Sequence, residues 1–164
     1  MNDVTTWDSN WAWSVPLIVF TVIFHVVGLG LFNVKSDQIL AAMRARRNYD
    51  FIFVFFMGIT VMWATFLHAT EAAVWAGAYR GLGAIGDYKL AMLYSLSAIT
   101  TYGHSDLYLA KHWQLMGAIE ALNGIMLFGL TTAFIYGMIQ RVWPIEKRRG
   151  YKGTSAAHRH EAVE

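Results

Sequence analysis

Apolar residues fall into four runs along the chain, with most charged residues between them. The first run, Val15 to Phe32, has His25 as its one ionisable residue, and Pro16 stands where a first helical turn tolerates it. The second, Phe51 to Tyr79, is interrupted only by His68 and Glu71. The third, Trp113 to Val142, carries Glu120 and Asn123 in its first half. A bilayer core of about 30 Å takes roughly 20 residues of helix to cross, so each of these runs is predicted to span a membrane. The last two are long enough that they must tilt or project beyond the hydrocarbon. The remaining run, Tyr88 to Ile99, would make only about 18 Å of helix. That is too short to cross and too apolar for a solvated loop, so it reads as a re-entrant half-helix. The pattern predicts an all-α membrane protein of three transmembrane helices, with the half-helix between the second and third. Between the first two spans, Ile39, Leu40 and Met43 at helical spacing predict a short interfacial helix.

Composition agrees. Of the 164 residues 56% are hydrophobic and 15% charged, whereas a soluble domain carries about 25% charge. Disorder, a coiled coil and nucleic-acid-binding arms are poor readings of such a chain. Seven Trp, eight Tyr and ten Phe suit two membrane interfaces. The absence of cysteine excludes disulfides and cysteine-ligated zinc or iron–sulfur sites. No nucleophile–base pair, phosphate-binding glycine loop or zinc constellation stands out, so no enzyme, metal or cofactor is expected; His158 and His160 in the tail are read as solvated.

The distribution of charge orients the chain. Lys35, Arg44, Arg46 and Arg47 lie between the first two spans, and Arg141, Lys147, Arg148, Arg149 and Lys152 follow the third. Residues 1–14 hold Asp3 and Asp8 and no basic residue, which argues against a cleaved signal and for a retained first span. The positive-inside rule then places the N-terminus outside, and the 33–50 segment and C-terminus inside. The half-helix falls outside, and three crossings satisfy all of these placements. The expected organisation is residues 1–50 (outer segment, first helix and basic loop), 51–142 (two spans with the half-helix) and 143–164 (basic tail).

Directly after the half-helix comes Thr100-Thr101-Tyr102-Gly103-His104-Ser105-Asp106. Span, short outer half-helix, this segment and a further span together resemble the pore module of potassium channels, whose filter has the form T-T-x-G-Y-G-D. Thr100, Thr101, Gly103 and Asp106 match at the family's spacing. Tyr102, His104 and Ser105 depart from it, Ser105 standing where the second glycine belongs. The flanks also resemble small proteobacterial ion-channel proteins with this pore, which carry a His-x-x-Glu motif on one span (His68, Glu71) and an acidic-Ala-Leu-Asn-Gly motif on the last (Glu120 to Gly124). The resemblance covers about residues 51–142. It implies a homotetrameric cation channel of the bacterial inner membrane, with a filter loop at 101–106 and K+ as the permeant ion. In such a filter, backbone carbonyls replace the ion's hydration shell. Some residues must then take positive φ, which glycine does without steric cost. The half-helix would aim the negative end of its dipole at the waiting cation.

His68 and Glu71 are one turn apart, as are Glu120 and Asn123. A carboxylate in a span needs a polar partner or water, so all four are expected to brace the half-helix or the filter from behind, with a proton-sensitive gate as the alternative for His68 and Glu71. Glu120 and Asn123 are placed either facing that pair across the spans or on the outer wall. Gly124, Gly129 and Gly137 allow close helix approach; Gly124 is also a candidate gating hinge. Thr131 and Thr132 lie deep on the third span, lining the cavity or bonding their own helix. No span carries the regularly spaced arginines of a voltage sensor. Two other readings remain: a non-conducting relative acting as an assembly subunit in a larger membrane complex, and a haem-binding anchor using His25 and His68. Counted from the ends of the runs, those two histidines differ in depth by about 10 Å, which disfavours haem.

Overall fold

The computed structural model describes residues 3–43, 49–103 and 106–142. They form α1 (Asp3–Met43), α2 (Tyr49–Gly81), α3 (Tyr88–Ile99), a single 3-10 turn (Lys111–Trp113) and α4 (Gln114–Val142), with no strand among them. Three segments are long and apolar enough to cross a membrane: Trp7–Ser36, Phe51–Gly81 and Lys111–Gln140. The chain divides into two compact units, residues 1–131 and 132–164. The described part of the second is the last turns of α4, where Met138 is buried and Gln140 bonds the Tyr136 hydroxyl.

α2, α3 and α4 run within two residues of the apolar runs that predict them. α1 does not: it begins twelve residues before Val15 and continues to Met43. Ile39, Leu40 and Met43 are its last turns and make no separate interfacial helix. Neither residues 3–14 nor 33–43 contain Gly or Pro, and each residue added to an existing helix closes one more hydrogen bond. Pro16 consequently lies in the interior of α1, not in its first turn.

The packing of α1 is inverted relative to a water-soluble helix. Asn10, Ser14, Thr21, His25 and Ser36 are buried, while Val19, Phe20, Ile23, Val26 and Val27 are exposed. Lipid tails are as apolar as leucine, so helices in a membrane associate through close packing and polar contacts. α1 and α2 meet closely where the Trp63 indole N–H donates to the Gly28 carbonyl (3.1 Å). Ser36, Thr60, Thr65 and Thr70 donate to the carbonyl four residues back, which satisfies these hydroxyls within their own helices.

The largest apolar cluster surrounds α3. Trp75 and Tyr79 of α2, Ala91 of α3, Leu109, Trp113, and Met116 of α4 are among its buried members. Local chemistry sets the limits of α3. Gly83, at φ +68°, turns the chain after α2, with Ala84 N–H bonding the Tyr79 carbonyl at 2.9 Å. Asp87 then caps α3 by accepting from Leu90 N–H at 3.0 Å.

Candidate functional site

α3 is the short apolar helix, and the segment after it has an unusual backbone. Thr101 has φ +57° and Gly103 φ +75°. Gly103 accepts this conformation freely, but for a β-branched residue it is a genuine outlier, with a cost of order 1–3 kcal/mol. The surrounding structure must therefore hold Thr101 in place. Tyr102 N–H bonds the Ser97 carbonyl at 2.9 Å and Thr101 N–H the Ala98 carbonyl at 2.9 Å, folding the segment back under the end of α3. Thr100 Oγ1 donates to the Leu96 carbonyl at 2.6 Å. Residues 100–103 are exposed, Tyr102 to 82%. Asp106 is exposed as well, while His104 and Ser105 lie outside the described residues.

Behind α3 stands Glu120, fully buried on α4. Tyr79 Oη donates to its Oε2 at 2.5 Å, and Ser95 Oγ bonds its Oε1. The same Ser95 hydroxyl lies 2.7 Å from the Ala72 carbonyl of α2. One carboxyl thus ties α2, α3 and α4 together at a single point. Tyr79 and Tyr94 also meet edge to face at 5.4 Å. Four residues on, Gly124 sits against the end of α3. A Cβ there would collide with the Ile99 backbone, coming within 2.8 Å of its carbonyl carbon. α4 is continuous helix through this position.

His68, Glu71 and Asn123 are placed elsewhere. Asn123 Nδ2 donates to Thr21 Oγ1 of α1 at 2.9 Å. Glu71 meets His25 of α1, with Nδ1 and Oε1 2.7 Å apart, and His68 Nδ1 lies 3.2 Å from Oε2. Thr131 Oγ1 closes the ring, 2.9 Å from His25 Nε2 and 3.1 Å from His68 Nε2. The hydrogen-bonding partners of His68 and Glu71 thus belong to α1 and α4. The two acidic groups on the spans occupy separate clusters and do not face one another. Thr131 bonds across helices; no cavity-lining role is needed to explain it.

The histidines correct a further expectation. Depths counted from the ends of the apolar runs separate them, yet their ring centroids are 5.0 Å apart. The helix ends explain it: His25 is 18 residues before the end of α1 and His68 is 19 after the start of α2, so the two helices bring them level. His25, His68 and Glu71 are the one group among the described residues whose ligand atoms could share a metal ion, all lying within 4.8 Å of one another.

Asn10 joins the first turns of α1 to the start of α4. Its Nδ2 donates to the His112 carbonyl at 2.6 Å and its Oδ1 accepts from Met116 N–H at 2.9 Å. Asn10, Thr21, Ser95, Tyr79 and the bonding role of Thr131 escape a reading that singles out only ionisable groups in spans. A signal for the α1 residues exists: Asn10, Ser14, Thr21 and His25 recur at offsets of 4, 7 and 4, one face of a helix. No family model, curated protein or solved structure matches the chain.

Proposed function

We propose that this protein is a cation channel in which identical chains, four by the resemblance of its pore segment, surround a filter built from residues 101–106. The observation that carries this reading is the pair of positive φ angles at Thr101 and Gly103 flanking Tyr102. Alternating the sign of φ along a short segment turns successive peptide planes so that neighbouring carbonyls face the same side. Such a row of oxygens can take over the hydration shell of a dehydrated cation. Strain at a β-branched residue, persisting at an exposed position, marks a conformation kept for a purpose.

Three further features support it. α3 ends at this segment, and the partial negative charge of its C-terminus favours a cation. Glu120 and Gly124 fix α3 from behind, so a filter at its end would be held rigidly. Leu90, Leu93 and Leu96 form an exposed apolar face on α3 that one chain leaves uncovered. Each chain has a single such segment, so a ring of chains is required to enclose a pore. In this reading α3 is a re-entrant half-helix at the outer face, the N-terminus is outside and the basic tail inside the bacterial inner membrane, and K+ is the favoured ion.

The test is cation efflux from liposomes containing the purified protein, loaded with potassium or with sodium. Potassium efflux well above sodium is expected. Equal efflux of both would replace K+ selectivity with a general cation pore, and no efflux from a folded tetramer would overturn conduction altogether.

A further inference from the structure

The cluster of His25, His68, Glu71 and Thr131 plays no part in that pore, yet it buries a carboxyl between two imidazoles. Glu71 is completely buried and His25 likewise, and His68 is 11% exposed. Three of their close contacts, at 2.7, 2.9 and 3.1 Å, are hydrogen bonds, and the fourth, 3.2 Å between His68 Nδ1 and Glu71 Oε2, is not. Two neutral imidazoles supply one N–H each and the Thr131 hydroxyl one O–H, while an ionised carboxylate supplies none. Three hydrogens serve the three hydrogen bonds and leave the fourth contact, a ring nitrogen against a carboxylate oxygen, with nothing between the two atoms. An ionised carboxylate buried beside neutral imidazoles is costly unless a cation accompanies it.

That cation is either a proton or a metal ion, and two details of the geometry favour the metal. First, His68 Nδ1 and Glu71 Oε2 make no hydrogen bond although they are 3.2 Å apart. A shared proton needs a donor aimed at its acceptor, whereas a metal needs lone pairs converging on a common point. Second, both Nε2 atoms reach the same hydroxyl oxygen, which has two acceptor lone pairs. In the tautomers that a bound metal would select, both N–H groups donate to Thr131 and both Nδ1 lone pairs face Glu71. Metal-bound histidines are held in this manner, the second ring nitrogen donating to an oxygen that fixes the tautomer and orientation.

We infer that His25, His68 and Glu71 bind a divalent transition-metal ion inside the membrane domain, with Thr131 orienting both imidazoles. Two imidazoles and one carboxylate suit zinc and its neighbours better than magnesium or calcium. In a tetrahedral zinc site with bonds of about 2.0–2.1 Å, donors lie ~3.4 Å apart; the three ligand atoms here all lie within 4.8 Å of one another. The ion would link α1 to α2, and through Thr131 to α4.

The experiment uses the full chain purified without a histidine tag, carrying His158→Asn and His160→Asn to silence the tail. Zn2+ binding is measured by equilibrium dialysis with elemental analysis. One ion per chain is expected, with affinity falling at least about tenfold for Glu71→Gln and for His25→Gln, and by a similar factor for Thr131→Val, which leaves all three ligands in place. Absence of Zn2+ binding overturns the inference and leaves a proton in the cluster. Stoichiometric binding undiminished by Glu71→Gln overturns it too. Should those variants fail to fold, X-ray absorption at the zinc edge of the zinc-loaded protein decides: two imidazoles in the inner shell are expected, and a shell without imidazole sinks the assignment. Each readout is independent of ion conduction.

Discussion

Replacing Gly124 by alanine tests whether the end of α3 is held where it is by backbone contact with α4. The added Cβ would lie 2.8 Å from the Ile99 carbonyl carbon and 2.9 Å from its Cα, and closer still to its carbonyl oxygen. All three atoms are backbone, so no side-chain rotation relieves the clash. By contrast, a Cβ at Gly117 meets the far end of the Tyr94 side chain and one at Gly28 meets Leu67 side-chain atoms, groups able to swing aside. A Cβ at Gly129 meets nothing within 4 Å. Alanine in place of glycine within a helix gains about 1 kcal/mol, and this gain is common to Gly124→Ala and Gly129→Ala. The difference between them isolates the collision. Overpacking of this kind costs about 1–3 kcal/mol. Gly124→Ala should therefore be about 2 kcal/mol less stable than Gly129→Ala, of the order of thirtyfold in the unfolding equilibrium. Unfolding by sodium dodecyl sulfate in mixed micelles, followed by circular dichroism, measures both variants on one scale. Equal midpoints with equal slopes would refute the reasoning, because α3 would then have room to move away from α4 at no cost.

Other substitutions probe separate parts of the structure. Gly103→Ala meets no atom within 4 Å but must hold φ +75°, so it should abolish conduction while the protein still inserts and assembles; liposome flux at the wild-type level would refute the role of this angle. Asn10→Ala removes both side-chain bonds between α1 and the start of α4, and a loss of about 1–3 kcal/mol is expected, with faster hydrogen exchange at the Met116 amide as the local readout. Ser105→Gly combined with His104→Tyr restores the filter pattern of the family that the segment resembles, and should raise the ratio of potassium to sodium flux.

The three spans and the short helix are legible because a membrane imposes length and polarity on contiguous residues, and contiguous residues are what a sequence displays. α3 coincides with Tyr88–Ile99 for this reason, bounded by an Asp87 cap and followed by Thr101 and Gly103 at positive φ. That Glu120 finds polar partners is equally legible, since a carboxyl in a span must do so. Which partners is another matter. The sequence shows that Glu71 and Glu120 each need one; only the packing of four helices decides that Tyr79 and Ser95 serve Glu120 while His25 serves Glu71. The continuation of α1 to Met43, well past the apolar run that ends at Phe32, alters the depths counted from the runs, and with it His25 comes level with His68. Polarity along the chain is a local property and fixes where helices form. Rotation and register between helices depend on side chains far apart in sequence, and so belong to the tertiary structure alone.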